Sequence, residues 1–199
     1  MITQIDPKTA LILIDLQKGI VNLPLAGSVQ DVLKKSAELI RAFRSKNLPI
    51  VIVRVNPLRA QWTLSRMDEP SVPKNDDEIA QAEAIMDLAG FFDITPEVMT
   101  TPEDIFITKT TWGAFYNTKL QSELLRLNIT GIVMAGIATS VGVEGTARQA
   151  SELGYNISFA TDAMTDFHPS AHEHSIQRIF PRIGEVGVAT DIIKKVEEL

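Results

Sequence analysis

The chain contains no cysteine. That absence excludes disulfides, thiolate metal sites and a thiol nucleophile. Histidine is scarce: there are three, all between His168 and His174. Lys and Arg number 19 against 25 acidic residues, for a net charge of −6, and they form no cluster. Nucleic acid is therefore not an expected partner, because phosphate binding needs concentrated positive charge. No apolar run is long enough to cross a bilayer, so no membrane association is expected. Residues Met1 to Lys8 are polar and lack the basic start and apolar stretch of a signal peptide. A cytoplasmic location is the expectation.

What is present is a regular alternation. At 199 residues the chain has the size of one domain, expected to span 1–199, with room for a substantial core. Six runs of strand length stand out: Ala10–Asp15, Pro49–Val55, Asp104–Thr108, Gly131–Ala135, Asn156–Ala160 and Glu185–Ala189. Several are apolar on both faces, as in a parallel sheet covered by helices. Between them lie helical patterns. Val29, Val32, Leu33, Leu39, Ile40 and Phe43 share one face, with Ser28 as cap and Asp31 in the first turn. Leu120, Leu124 and Leu127 mark a second stripe; Val143, Ala147, Ala150 and Leu153 a third. Further helices are predicted over 171–180, from 191 to the end and over 79–88. Asn47, Asn128 and Gly154 each follow a helix and precede a strand, where a left-handed residue ends the helix. The rhythm predicts right-handed βαβ crossovers and a Rossmann-like, three-layer α/β/α fold with a six-stranded parallel sheet.

One stretch breaks the rhythm. Asn56 to Pro102 holds five prolines and the acidic run Asp76-Asp77-Glu78. Such an insertion after a strand serves as a lid, a subunit contact or a plain solvated excursion. Trp62 makes it a candidate contact surface.

Parallel α/β folds place their chemistry at the carboxyl ends of strands. Asp15 ends the first strand after the apolar Leu11–Ile14; it is either a turn cap or a carboxyl with a raised pKa. Lys109 ends the third strand before Thr110, Thr111, Trp112 and Gly113; it either snorkels to solvent or points into an aromatic-walled cleft. Gly142 follows the fourth strand at a helix start. It is either a packing glycine or part of a backbone site for a carboxylate or oxyanion. Ser140, with no visible base, reads as a capping residue. His168 and His172 have the i, i+4 spacing of metal ligands, but Pro169 places a helix entry between them, and the solvated-helix reading is preferred.

These pieces occur in a fixed order: Leu13-Ile14-Asp15-Leu16-Gln17; Lys109 with Trp112-Gly113-Ala114-Phe115; Gly136-Ile137-Ala138-Thr139-Ser140-Val141-Gly142-Val143; Thr146–Ala150; Gly154-Tyr155; and Thr161–Asp166. The ordered set resembles the isochorismatase-like hydrolase superfamily, also called the cysteine hydrolases, over nearly the whole chain. The resemblance implies a catalytic Asp, Lys and Cys at strand ends, matched by Asp15 and Lys109, with Gly142 falling at the cysteine position. It also implies a non-proline cis peptide before Ala138, aiming the Ala138 and Gly142 N–H groups into the cleft. Ala138, Val141, Trp112 and Asn56 are the expected substrate contacts, and by analogy with the family a homodimer or homotetramer is expected.

The departure governs the chemistry. A glycine offers no nucleophile, so thiolate attack on an amide is excluded. The nicotinamidase-type Asp/His metal site has no counterpart in Val55–Ala60, and neither metal nor cofactor is expected. Isochorismatases share the glycine and use no covalent intermediate. The expectation is acid-catalysed hydrolysis of a vinyl ether such as isochorismate, a small-molecule substrate, with Asp15 as general acid and Lys109 binding a substrate carboxylate. Arg54, Arg59 and Arg66 are nearby candidates for further anion contacts. The alternatives are a non-catalytic member binding a metabolite or partner in the same cleft, and a metal hydrolase built on the histidines.

Overall fold

A computed structural model describes residues 1–59, 73 and 75–199. Trp62 and Arg66 lie outside the described residues. The strands are β1 (Thr9–Ile14), β2 (Ile50–Val55), β3 (Ile105–Lys109), β4 (Gly131–Ile137), β5 (Asn156–Thr165) and β6 (Glu185–Gly187). They form one six-stranded sheet in the order β3-β2-β1-β4-β5-β6, and every neighbouring pair is parallel. The eight helices of the described residues are α1 (Lys18–Val21), α2 (Val29–Ser45), α3 (Asp76–Leu88), α4 (Leu120–Arg126), α5 (Glu144–Glu152), α6 (Pro169–His174), α7 (Phe180–Ile183) and α8 (Ala189–Glu197). Among them none is long and apolar enough to cross a membrane.

The period-two alternation of a strand sorts β1 between two cores. Leu11 and Leu13 face one core with Leu39, Ile40 and Phe43 of α2 and Ile192 and Val196 of α8. Ala10, Ile12 and Ile14 face the other with Leu120 and Leu124 of α4, Ala147 of α5 and Phe180 of α7. All six residues of β1 are buried, which is why the run carries no polar alternation. Ser28 accepts the Asp31 N–H at 3.2 Å and starts α2 as expected. Asn47 (φ 54°), Asn128 (φ 54°) and Gly154 (φ 84°) all take the left-handed conformation at their helix exits.

Several boundaries differ from the sequence reading: β4 runs on to Ile137, β5 runs on to Thr165, and α3 starts at Asp76. The last strand ends at Gly187, because Ala189 already opens α8 and donates its N–H to Asp162 Oδ1 at 2.6 Å. The helix expected over 171–180 is interrupted by a π-turn at Ser175–Ile179. Pro181 has no N–H for the carbonyl one turn earlier and its ring crowds that carbonyl, so the ladder widens before α7.

The rim of the sheet is pinned by Gln17, which is fully buried. Its Oε1 accepts the Val55 N–H at 2.7 Å, and its Nε2 donates to Val55 O at 3.1 Å and Phe91 O at 3.2 Å. Gln17 thus supplies the ladder bonds that β1 can no longer make where it ends. Gln17→Leu leaves the Val55 N–H buried without a partner. It should cost about 1–3 kcal/mol of stability, read as a lower urea midpoint at unchanged m-value.

Candidate active site

Neighbouring strands β1 and β4 send their chains to opposite faces of the sheet. The helix after β1, α2, packs in one core, and α5 after β4 packs in the other. A crevice must open where they part. Asp15 stands there, at φ 52°, with its N–H still donating to Val53 O at 2.9 Å. The β1 ladder ends on this residue and the chain swings away.

Lys109 leaves the end of β3, two strands from β1. Adjacent strands are about 4.8 Å apart, so only a long side chain laid over the end of β2 can span the gap. Its Nζ lies 2.7 Å from Asp15 Oδ2 and donates to Thr111 O at 3.2 Å. Both side chains are nearly inaccessible, at 2% for Lys109 and 7% for Asp15. Burial pushes the Asp15 carboxyl up from 3.8 to about 6, against the opposing pull of the Lys109 charge and hydrogen bond. Asp15 Oδ1 is buried and has no hydrogen-bond partner among the described residues.

A cavity of about 260 Å³ opens over this pair. Ile20, Val55, Pro57, Ile137 and Phe167 give it apolar walls, and Trp112, 54% exposed, stands at its mouth. Ala138, Val141 and Gly142 line the side opposite Lys109. The Ile137–Ala138 peptide is cis. It follows Gly136, whose φ of 123° and close approach to the Ile14 backbone admit no side chain. A Cβ at Gly142 would stand 3.2 Å from Asp15 Oδ2 and 2.8 Å from Ile14 Cγ2. The bare backbone at 142 is therefore what keeps the space over the carboxyl open.

Six of the seven predicted site residues meet at this cavity: Asp15, Lys109, Gly142, Ala138, Val141 and Trp112. Asn56 does not line it. Alternation along β2 turns Val55 and Pro57 toward the cavity and sends Arg54 and Asn56 to a neighbouring hollow with Glu83. Asn56 Nδ2 donates to Glu83 Oε1 at 2.6 Å, and its Oδ1 accepts the Leu58 N–H at 3.2 Å. The arginines face away too. Arg54 donates to Thr108 Oγ1 at 3.0 Å, and Arg59 forms a two-pronged pair with Glu83. Among the described residues Lys109 is the cation of this cavity.

Sequence reasoning left three other residues without a role. Asp166, buried, follows β5 and accepts the Ser140 N–H at 2.6 Å through Oδ2 and the Phe167 N–H at 2.8 Å through Oδ1. Thr139, also buried, donates to Thr165 O at 3.0 Å and lies 2.8 Å from His172 Nδ1. The hydroxyl's single proton goes to Thr165, so His172 must be the donor in the second bond and carry its proton on Nδ1. Burial holds the imidazole below its usual pKa, against the opposing charges of Asp166 and Glu173. His172 is thus half-buried structure rather than a solvated face, whereas His168 and His174 are exposed. No group of three or more His, Asp or Glu side chains among the described residues is placed to hold a metal ion. The signal for Asp166 was its place in the Thr161–Asp166 motif; spacing alone does not reveal its backbone partners.

The isochorismatase domain pattern matches residues 9–191. The isochorismatase family protein YwoC of Bacillus subtilis is 38% identical over 190 residues, covering 96% of this chain and 95% of that protein. The isochorismatase family protein YecD of Escherichia coli O157:H7 is 36% identical over 188 residues, covering 93% and 94%. Among solved structures, an isochorismatase family protein from Burkholderia thailandensis superposes with a TM-score of 0.84 at 36% identity, covering 99% of this chain and all of that one. The domain pattern, the relatives matched over nearly their whole length and the superposed structure agree: the chain belongs to the isochorismatase family of hydrolases.

Proposed function

We propose that the chain hydrolyses an enol ether by acid catalysis, with Asp15 as the proton donor and with Gly142 standing where a nucleophilic cysteine would otherwise sit. The observation that carries this reading is a buried carboxyl of raised pKa lining a cavity, with the bare backbone of Gly142 leaving space against its Oδ2. The space that Gly142 leaves free abuts Oδ2, the oxygen Lys109 holds, so the transferable proton belongs on Oδ2 once a substrate carboxylate draws the Lys109 ammonium away. That proton passes to the terminal carbon of the C=C–O unit. The π electrons form the new C–H bond, the carbon bearing oxygen becomes an oxocarbenium ion, and the Asp15 carboxylate stabilises it. Water adds to the cation and gives its proton back to Asp15. The resulting hemiketal expels the alcohol and leaves a ketone; isochorismate would yield pyruvate and a diol.

Lys109 has a double role in this reading. Alone it favours the Asp15 carboxylate. A substrate carboxylate bound at Nζ competes for that charge, and Asp15 then holds its proton more firmly. Burial already opposes Lys109 in the free site, which makes the acid form accessible near pH 6. Trp112, Val141 and the Ala138 backbone would bound the substrate, and the apolar walls suit the carbon skeleton of such an ether.

The test is pyruvate release from isochorismate and from simple 2-alkoxyacrylates, followed between pH 5 and 8. The expected kcat/KM falls as pH rises through about 6, because deprotonation removes the acid. Flat activity across that range would remove Asp15 from the donor role. Gly142→Ala is expected to act mainly on KM: its Cβ intrudes over Asp15 but removes no reacting group.

A further inference from the structure

We propose that Asp166 is a positioning residue for this site, fixing the turn after β4 that carries Ala138, Val141 and Gly142 past the cavity. The turn itself is a weak element. It is a π-turn, Thr139–Val143, with a cap that makes no side-chain bond. Its stability must come from outside, and the end of β5 supplies it. Asp166 Oδ2 holds the Ser140 N–H at 2.6 Å, in the middle of the turn. Oδ1 holds the N–H of Phe167 at 2.8 Å and that of His168 at 3.4 Å. Phe167 is a wall of the cavity, so one carboxylate ties the turn backbone on one side to an aromatic wall on the other.

The same strand end grips the turn a second time. Thr139 Oγ1 donates to Thr165 O at 3.0 Å and accepts from His172 of α6. The main-chain oxygen of Asp166 accepts the Ala26 N–H at 2.8 Å, and Thr165 Oγ1 accepts the Gly27 N–H at 3.1 Å. Thus the loop between α1 and α2, the β4 turn and α6 all converge on Thr165 and Asp166. A carboxylate buried at 2% exposure, accepting only backbone N–H groups, is costly unless those bonds are made. Nothing in Asp166 faces the reacting atoms. Its effect reaches the cavity through the backbone it holds.

The turnover readout of this proposal rests on the enol-ether reading; the exchange readout does not. The experiment compares wild type, Asp166→Asn, Thr139→Val, Thr139→Ser and Asp15→Asn by amide hydrogen exchange and by steady-state kinetics. In Asp166→Asn the amide can accept with its one oxygen, but its NH₂ faces a second N–H. Exchange at Ser140 and its turn neighbours should quicken about 10- to 100-fold, the loss of a charge-assisted hydrogen bond. Exchange in β1 and β3 should be unchanged. The kcat should fall by about 100-fold with KM little altered, because the bound geometry shifts while the walls remain. The pH limb near 6 should stay in place, since the Asp15–Lys109 pair is untouched.

Thr139→Val covers the case in which Asp166→Asn does not fold. It removes both hydroxyl bonds without burying a charge, and should quicken exchange in the same turn and lower kcat. Thr139→Ser keeps the hydroxyl and should restore both. Asp15→Asn is the control: turnover should fall by about 10²- to 10⁴-fold while exchange at Ser140 stays slow. Retained turnover in Asp15→Asn would sink the acid reading alone. Wild-type exchange at Ser140 in the Asp166 or Thr139→Val variants would overturn the positioning role. So would quickened exchange with kcat intact.

Discussion

Asp15→Asn is expected to lower kcat/KM for an enol ether by about 10²- to 10⁴-fold, the usual worth of a positioned acid. Asparagine has nearly the same shape and can still contact the Lys109 amine through its carbonyl. It has no acidic proton. Any loss therefore reports on proton transfer rather than on the cavity's form. The wild-type profile gives the independent check. With the carboxyl at about 6, activity should be full below that value and should decline above it. Lys109→Met should move the decline to higher pH, because it removes the charge that lowers the Asp15 pKa while leaving the desolvation that raises it. A profile that moves the other way, or not at all, would show that the Lys109 charge does not lower the Asp15 carboxyl.

The second large effect is on stability, and it runs opposite to activity. The Asp15–Lys109 pair is almost dry, and each ion has lost its hydration for a single partner and few other bonds. Desolvation of such a pair commonly exceeds its attraction. The double variant Asp15→Leu, Lys109→Met, which leaves no polar group unpaired, should be inactive yet more stable than wild type by about 1–4 kcal/mol at pH 7. Lys109→Met alone leaves a buried carboxyl unpaired, and Asp15→Asn alone leaves a buried ammonium; each single change should be worse than the double one. The pH dependence fixes the sign. A carboxyl raised from 3.8 to about 6 keeps its proton in the folded chain over a range where the unfolded chain has released it. Its contribution to stability is therefore greatest below 3.8 and is lost as pH rises through about 6. The advantage of the double variant should widen across that window in urea titrations. A double variant less stable than wild type would mean that the pair is a net stabiliser.

Much of this molecule could be read before any coordinates. The apolar strand runs, Ser28 at the head of α2 and the left-handed exits at Asn47, Asn128 and Gly154 are local signals, and local physics decides them. Asp15 was legible for a related reason: a polar residue after a fully buried strand has one place to be, the end of the sheet; Lys109 was legible as the charge that closes β3. What misled at Asn56 was a single step of strand alternation. One residue either way on β2 separates the cavity from the hollow beside Glu83, and proximity in sequence cannot choose between them. The end of β6 shifted because Asp162, 27 residues before Ala189, caps α8 from another strand.

The sequence by itself determined the secondary-structure rhythm, the two strand-end charges and the exclusion of thiol chemistry, because each follows from residue type and nearest neighbours along the chain. Only the tertiary structure decided that those charges touch, that one oxygen of Asp15 is left without a partner, and that Gly142 leaves the space beside the other clear. It alone decided that Asp166 and Thr139 hold the intervening turn. The reason is range. Hydration, burial and hydrogen-bond partnership depend on atoms brought together from β1, β3, β4 and β5, and no window of consecutive residues contains them.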